Sequence, residues 1–304
     1  MMYFDGEKNK RKKKADFKKV EEMPAPKKKP LKKGGAVKPM ERPISTKAEG
    51  TMRLNRYIAH CGICSRRKAD DYIVEGKVKV NNKVVKEPGT LWQTGDVVLL
   101  EGKKIETQKF VYILLNKPKN TISTNSDEKG RKTVFDFIQD SLEAKNLGHL
   151  RLFSIGRLDR NSMGVLLLTN DGELNQELSH PSKEVEKIYQ VQLDKEVKQS
   201  DIEALANGVE LEDGPIHCDT IAYVHELAKD EVGVEIHSGK NRIVRRMFEH
   251  LGYTVIKLDR VSYAGLTKKN LPRGKWRFLT DNEIRRLKYF DKTKKARSTA
   301  QKKS

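Results

Sequence analysis

Apolar residues first recur at helical spacing near Thr51, where a lysine-rich opening stretch ends. Leu54, Tyr57, Ile58 and Cys61 fall on one face of a helix that Gly62 stops, and Ser65 caps a second helix carrying Ala69, Tyr72, Ile73 and Val74. The period then drops to two. Val78 and Val80 alternate with lysines up to Asn81-Asn82, with Val84 and Val85 beyond, the pattern of a short hairpin. Beyond a polar connector, Glu101 to Lys109, the run FVYILLNK predicts a strand that Pro118 closes. Val165 to Leu168 predicts a buried strand followed by a turn at Asn170-Asp171-Gly172, and Tyr189, Val191 and Leu193 share one face of another strand. Ser200-Asp-Ile-Glu203 and Thr280-Asp-Asn-Glu283 read as capping boxes, and Gly208 ends the first of these helices. Between them lie a strand from Val232 to Ile236, a helix NRIVRRMFEHLG stopped by Gly252, and a strand TVIKLDRVSY. Strands outnumber helices and short turns join many neighbours, which predicts an α+β fold on a mainly antiparallel mixed sheet with flanking helices.

Charge changes this picture at the ends. The chain of 304 residues carries a formal +20, of which residues 1–50 hold +9 and residues 291–304 hold +5. Lysine, proline and glycine without aromatic clusters cannot offset the entropy of ordering, so both segments are expected to be disordered basic tails. The expected order is therefore a tail at 1–50, a small module at 51–100, a linker at 101–109, a larger domain at 110–290 and a tail at 291–304. Basic arms around a basic middle favour a polyanion, and without an amphipathic apolar face that polyanion is nucleic acid rather than membrane.

No apolar run approaches the roughly 20 residues a bilayer requires, and no secretory pattern opens the chain, which points to the cytoplasm. The CxxC pair Cys61/Cys64 has no second pair to complete a zinc site, and the histidines are scattered. Asp159 to Gly164 starts like a calcium loop, but Met163 cannot ligate and Asn170 replaces the closing glutamate; Ser238-Gly239-Lys240 lacks the P-loop serine or threonine. Neither a metal nor a nucleotide cofactor is implied.

The densest chemistry lies in GRLDRNSMGVLLLTNDG, from Gly156 to Gly172, where Asp159 sits between Arg157 and Arg160 on a loop feeding a core strand. Together with NKPKNTIST at Asn116, KIYQV at Lys187 and GKNRIVRRMFEHLGYTVIKLDRV at Gly239, this stretch resembles the pseudouridine synthases of the RsuA/RluB/RluE/RluF class. The segment LNRYIAHCGICSRRKA with its VEGKVKVNNKVV hairpin resembles the S4 domain that precedes the catalytic domain in that class.

The resemblance implies an isomerase that needs no cofactor, turning one uridine of ribosomal RNA into pseudouridine. Asp159 then matches the essential aspartate, as nucleophile or base. Tyr189 matches the tyrosine that stacks on the base, and Arg245 the basic residue that pairs with the aspartate. Arg157 is expected beside the opened RNA when the target is flipped out. Where the class commonly has Glu or Gln after Asn241-Arg242, this chain has Ile243, so Arg242 is assigned to RNA contact rather than catalysis. Arg53, Arg56, Arg66, Arg67, Lys68, Lys77 and Lys79 form the expected RNA-facing set of the first module. Long charged extensions are shared with class members acting on large-subunit RNA. They favour a 23S target over a small-subunit one, in free rRNA or an assembly intermediate, by a monomeric protein. The competing function is a non-catalytic ribosome-assembly factor.

Overall fold

A computed structural model of the chain describes residues 50–124, 127–225 and 228–288. The expected basic tails, apart from Gly50, lie outside the described residues.

In the first module, β1 (Thr51–Arg53) runs into α1 (Leu54–His60), and Ser65 caps α2 (Arg66–Val74) by accepting from the Lys68 amide. Then come β2 (Val78–Val80), β3 (Lys83–Val85), β4 (Leu91–Gln93), β5 (Val98–Leu100) and β6 (Lys103–Lys104). Asn81 and Asn82 both adopt left-handed backbone, at φ 49° and 68°, which matches the twist a two-residue hairpin needs between β2 and β3. Strands β3-β2-β5-β6 form one antiparallel sheet, and β1 pairs with β4. Leu54, Ile58, Ala69, Ile73 and Val78 are fully buried, and the Tyr57 ring stacks on Trp92 at 4.4 Å. Cys61 ends α1 as a buried free thiol whose pKa burial pushes up to about 12, so it packs as a small apolar residue. The stretch read as a connector contributes β6 and buries Ile105; its polar sequence hides a hairpin turned at Glu101 and Gly102.

The second part is one nine-stranded sheet. In chain order its elements begin with β7 (Tyr112–Lys117), α3 (Gln139–Glu143), β8 (Phe153–Ile155), β9 (Met163–Thr169) and α4 (Gly172–Ser179). They continue with β10 (Lys187–Leu193), α5 (Gln199–Asn207), β11 (Val209–Leu211), β12 (Gly214–Ile216), β13 (Thr220–Tyr223) and β14 (Glu231–Ile236). The last are α6 (Ile243–His250), β15 (Val255–Tyr263), β16 (Leu266–Thr267), β17 (Trp276–Phe278) and α7 (Asp281–Lys288). The main path is β13-β14-β10-β15-β9-β7-β17, with β16 on β15 and β8 on β9, and a separate β11-β12 hairpin. Every pairing in the sheet is antiparallel except β9 with β15.

Both faces of the sheet are covered where its strands read as unbroken apolar runs. Ile113, Leu115, Leu166 and Leu168 enter a core shared with α3, α5 and α6, while Tyr112, Leu114, Val165 and Leu167 enter a second core with α4 and α7. Strand β10 alternates, burying Tyr189, Val191 and Leu193 and leaving Gln190 and Gln192 half-exposed, because only one of its faces meets helices.

Two local expectations change. The box at Ser200 does not form: α5 starts earlier, capped at Lys198, and Ser200 lies inside it. The Tyr253 hydroxyl sets that start, accepting from the Lys198 amide at 3.3 Å and donating to Asp201 at 2.5 Å, a tertiary contact no local pattern carries. Asp171 is more than a turn former, since it caps α4 by accepting from the Glu173 and Leu174 amides and takes a 2.7 Å bond from the Tyr112 hydroxyl. The second box forms as expected, with Thr280 and Glu283 exchanging bonds.

The parallel junction depends on Gly164. It sits at φ 107°, and a Cβ there would lie 2.1 Å from the Arg260 carbonyl oxygen and 2.7 Å from the Arg260 nitrogen. Gly164→Ala is therefore expected to cost about 3 kcal/mol or more, from backbone strain plus overpacking, read as a lowered midpoint in urea unfolding.

Candidate active site

The loop from Gly156 to Ser162 enters β9 at the parallel junction, and its backbone is tied from two sides. Ser123 grips Leu158, its hydroxyl donating to the Leu158 carbonyl at 2.9 Å and accepting from the Leu158 amide at 3.2 Å. Lys117, fully buried at the end of β7, points its ammonium group at four carbonyl oxygens: Ser162 at 2.7 Å, Asp159 at 3.0 Å, Pro118 at 3.1 Å and Arg160 at 3.3 Å. Burial pulls the Lys117 pKa down to about 8, with Asp159 pulling the other way. Neither residue was singled out by the sequence reading. The signal for Lys117 was a lysine closing an otherwise apolar, doubly buried strand.

So held, Asp159 keeps its carboxylate partly exposed. Its Oδ2 lies 3.7 Å from Arg242 Nη1 and 3.9 Å from Arg245 Nε. Arg242 caps α6 in left-handed backbone at φ 46°, and Arg245 follows on that helix. Arg245 is buried, with Nη1 donating to the Val255 carbonyl at 2.9 Å, while its Nε has no hydrogen-bond partner among the described residues. Burial lowers the Arg245 pKa, and Arg242 adds to that shift, while Asp159 opposes it. The two arginines thus flank one carboxylate, and Arg242, assigned from sequence to RNA contact, stands as near it as Arg245. Ile243 between them is buried in the core beside α6, which accounts for an apolar residue there.

Asp159 stands on a lip between two recesses. One, of about 170 Å³, is bounded by Tyr189, Arg245's neighbour Val244, Leu258, Arg260 and Tyr263 together with Asp159 and Arg157. The other, of about 570 Å³, is lined by Ser123, Asp127, Arg131, Arg160 and Asn161, and shares Arg157, Asp159 and Arg242 with the first. Tyr189 is 8 % exposed and opens onto the smaller recess, whose walls combine apolar side chains with a few polar groups, as a pocket for a flat heterocycle requires. Arg157 is exposed and borders both. Among the described residues no cluster of three or more His, Cys, Asp or Glu could hold a metal ion.

The basic residues of the first module are not equivalent. Arg53, Arg66, Arg67 and Lys79 are exposed and make no ion pair among the described residues. Lys68 meets Asp71 at 3.5 Å, and Lys77 meets Glu75 at 2.7 Å. Arg56 instead pairs with Glu173 at the start of α4, and burial lowers its pKa. It therefore ties the module to the larger domain, because it projects from α1 on the side facing that domain.

Residues 111–250 match the RNA pseudouridylate synthase family, and residues 52–98 match the S4 domain. The chain is 42 % identical over 239 residues to the ribosomal large subunit pseudouridine synthase B of Bacillus subtilis, covering 78 % of this chain and 95 % of that protein. It is 37 % identical over 242 residues to the dual-specificity RNA pseudouridine synthase RluF of Escherichia coli, covering 78 % of each. A solved structure described as a pseudouridylate synthase aligns with a TM-score of 0.55 at 29 % identity, over 78 % of this chain and 99 % of that one. With a carboxylate, a tyrosine and two arginines gathered beside a base-sized recess, and the Bacillus subtilis relative matched over 95 % of its length, the chain belongs to the RNA pseudouridylate synthase family, in the branch that carries an N-terminal S4 domain.

Proposed function

We propose that the protein converts a specific uridine of large-subunit ribosomal RNA to pseudouridine, acting as a monomer in the cytoplasm. The observation that carries this reading is Asp159, held on a tied loop at the mouth of a recess that Tyr189 walls, with Arg242 and Arg245 within 4 Å of its carboxylate. All of these groups come from one chain. The large-subunit target rests on the 42 % identity to the Bacillus subtilis enzyme of that name. Among the described residues no helix is long and apolar enough to cross a membrane.

In this reading the target uridine leaves its stack, Arg157 lies beside the opened RNA, and the base enters the smaller recess. Asp159 faces the sugar as nucleophile or base. Tyr189 stacks on the base and takes part in removing the C5 proton, and Arg245 neutralises and aims Asp159. Isomerisation gains and loses no atoms, so no cosubstrate enters.

The test is pseudouridine mapping across all cellular RNA with and without the gene. Loss of one site in 23S RNA supports the proposal. A lost site confined to 16S RNA moves the target to the small subunit, and no lost site anywhere leaves an assembly factor. Arg53, Arg66, Arg67 and Lys79, exposed and without an ion pair among the described residues, are the proposed anchor on RNA. Arg66→Ala with Arg67→Ala is expected to lower the slope of log affinity against log salt by about 1.5, since each phosphate contact contributes roughly 0.7 to 0.9. Filter binding across a salt series reads this slope, and an unchanged slope removes both residues from the RNA contact.

A further inference from the structure

Among the described residues the largest fully buried side chain is a cation that the mechanism above does not use. Arg260 is 2 % exposed and forms no ion pair among the described residues. Its neighbour Asp259 is taken up by Lys268 and Arg273. Arg260 is held firmly nonetheless: Nε donates to the Val165 carbonyl at 2.8 Å, and the guanidinium lies 4.5 Å from the centre of the Tyr263 ring. Its Nη2 has no hydrogen-bond partner among the described residues. A buried charge without a counter-ion and a buried donor without an acceptor each cost stability, and a chain that keeps both has a use for them.

Position says what the use is. Arg260 lines the same recess as Asp159 and Tyr189. It is the direct cross-strand partner of Tyr189, at a register shift between Ile188 and Tyr189 where β15 bulges. Directly opposed residues share a face, and bulges beside active sites redirect side chains. A base stacked on Tyr189 thus comes up against a cationic side chain in the wall of the recess.

We infer that Arg260 contacts the uracil ring through a carbonyl oxygen and stabilises the anion that the base becomes once it is detached. The inference rests on the pseudouridine synthase reading. When the N1–C1′ bond breaks, its electron pair stays on the ring, spread over N1 and the two carbonyl oxygens. Asp159 takes up the electron-deficient sugar, by bonding to C1′ or by holding the C2′ proton, and returns what it took when the C5–C1′ bond forms. Forming that bond uses the ring's electron pair and leaves the ring neutral; the C5 proton is then removed as N1 gains one, which gives neutral pseudouridine. The full charge beside Arg260 exists between cleavage of the N1–C1′ bond and formation of the C5–C1′ bond, so its stabilisation falls on the reaction and not on substrate binding.

The test uses a short fragment of ribosomal RNA carrying the converted uridine, made with either uridine or 5-fluorouridine at that one position. Single-turnover disappearance of the substrate nucleoside is read by liquid chromatography with mass spectrometry of the digested RNA, since the isomers share a mass and the fluorinated base, with no C5 proton to lose, stops once the C5–C1′ bond has formed. Fluorine withdraws electrons and stabilises the ring anion by itself, so the second substrate depends less on Arg260. Arg260→Met is expected to slow uridine about 100-fold, the usual cost of removing one such donor, and to slow 5-fluorouridine much less. Arg260→Lys, which keeps the charge, is expected to fall between wild type and Arg260→Met on uridine. The ratio between substrates is taken on one protein sample, so a partly misfolded variant lowers both rates and leaves the ratio intact. Equal slowing of the two substrates overturns the inference while leaving the enzyme reading in place. Wild-type protein that converts neither overturns the reading itself.

Discussion

Asp159→Asn is expected to lower single-turnover pseudouridine formation by more than about a thousandfold, with RNA affinity and the unfolding midpoint unchanged. The contrast follows from how the residue is held. Lys117 and Ser123 grip backbone atoms of the loop, the carbonyls of Asp159, Arg160 and Ser162 and both polar atoms of Leu158. An amide in place of the carboxylate leaves every one of those bonds intact. What disappears is the charge facing Arg242 and Arg245, and with it the only nucleophile or base beside the sugar in the proposed pose. Time courses on the cognate fragment, with binding and urea unfolding measured in parallel, separate the two effects. A rate near wild type for Asp159→Asn would remove Asp159 from the chemistry and return attention to the other polar groups of the recess.

Much of this site was legible in the sequence because it is written locally. Asp159 stands next to the run that becomes β9, Tyr189 lies in phase with Val191 and Leu193, and Arg245 sits on a helix whose apolar face is plain. The parallel pairing of β9 with β15 is less visible, because its requirement is a single glycine, Gly164, whose missing side chain lets the two backbones approach. Least visible were the roles of polar residues that act across the fold. Arg56 carries the same charge as Arg66 but turns to Glu173, and Tyr253 sets the start of α5 from a distant stretch of chain. Arg242 is exposed, and from the left-handed residue that opens α6 its side chain also reaches within 3.7 Å of Asp159. Residue type and spacing carry a strand or a helix; they do not carry which buried carbonyl a lysine will find.

Lys117 gives that distinction a measurable form. As an ammonium ion it has three protons to share among four carbonyl oxygens, all within 3.3 Å, and it bridges the end of β7 to the Asp159 loop. Burial lowers its pKa to about 8, so the folded protein releases this proton while the unfolded chain still holds it. Folding therefore bears the cost of a buried charge in full below about pH 8, and stability gains from this group as pH rises from there toward the ordinary lysine range. Activity is expected to run the opposite way. The neutral amine has only two protons to donate, a tie to the loop is lost, and the single-turnover rate should fall with an apparent pKa near 8 while the fold becomes no weaker. Lys117→Met is expected to slow the reaction about a hundredfold at neutral pH, the scale of a small misplacement of a reacting group, and to remove the alkaline fall, since nothing at that position then titrates. Rate–pH profiles of the two proteins decide it. An alkaline fall that persists unchanged in Lys117→Met belongs to another group, and Lys117 then serves the fold without governing the position of Asp159.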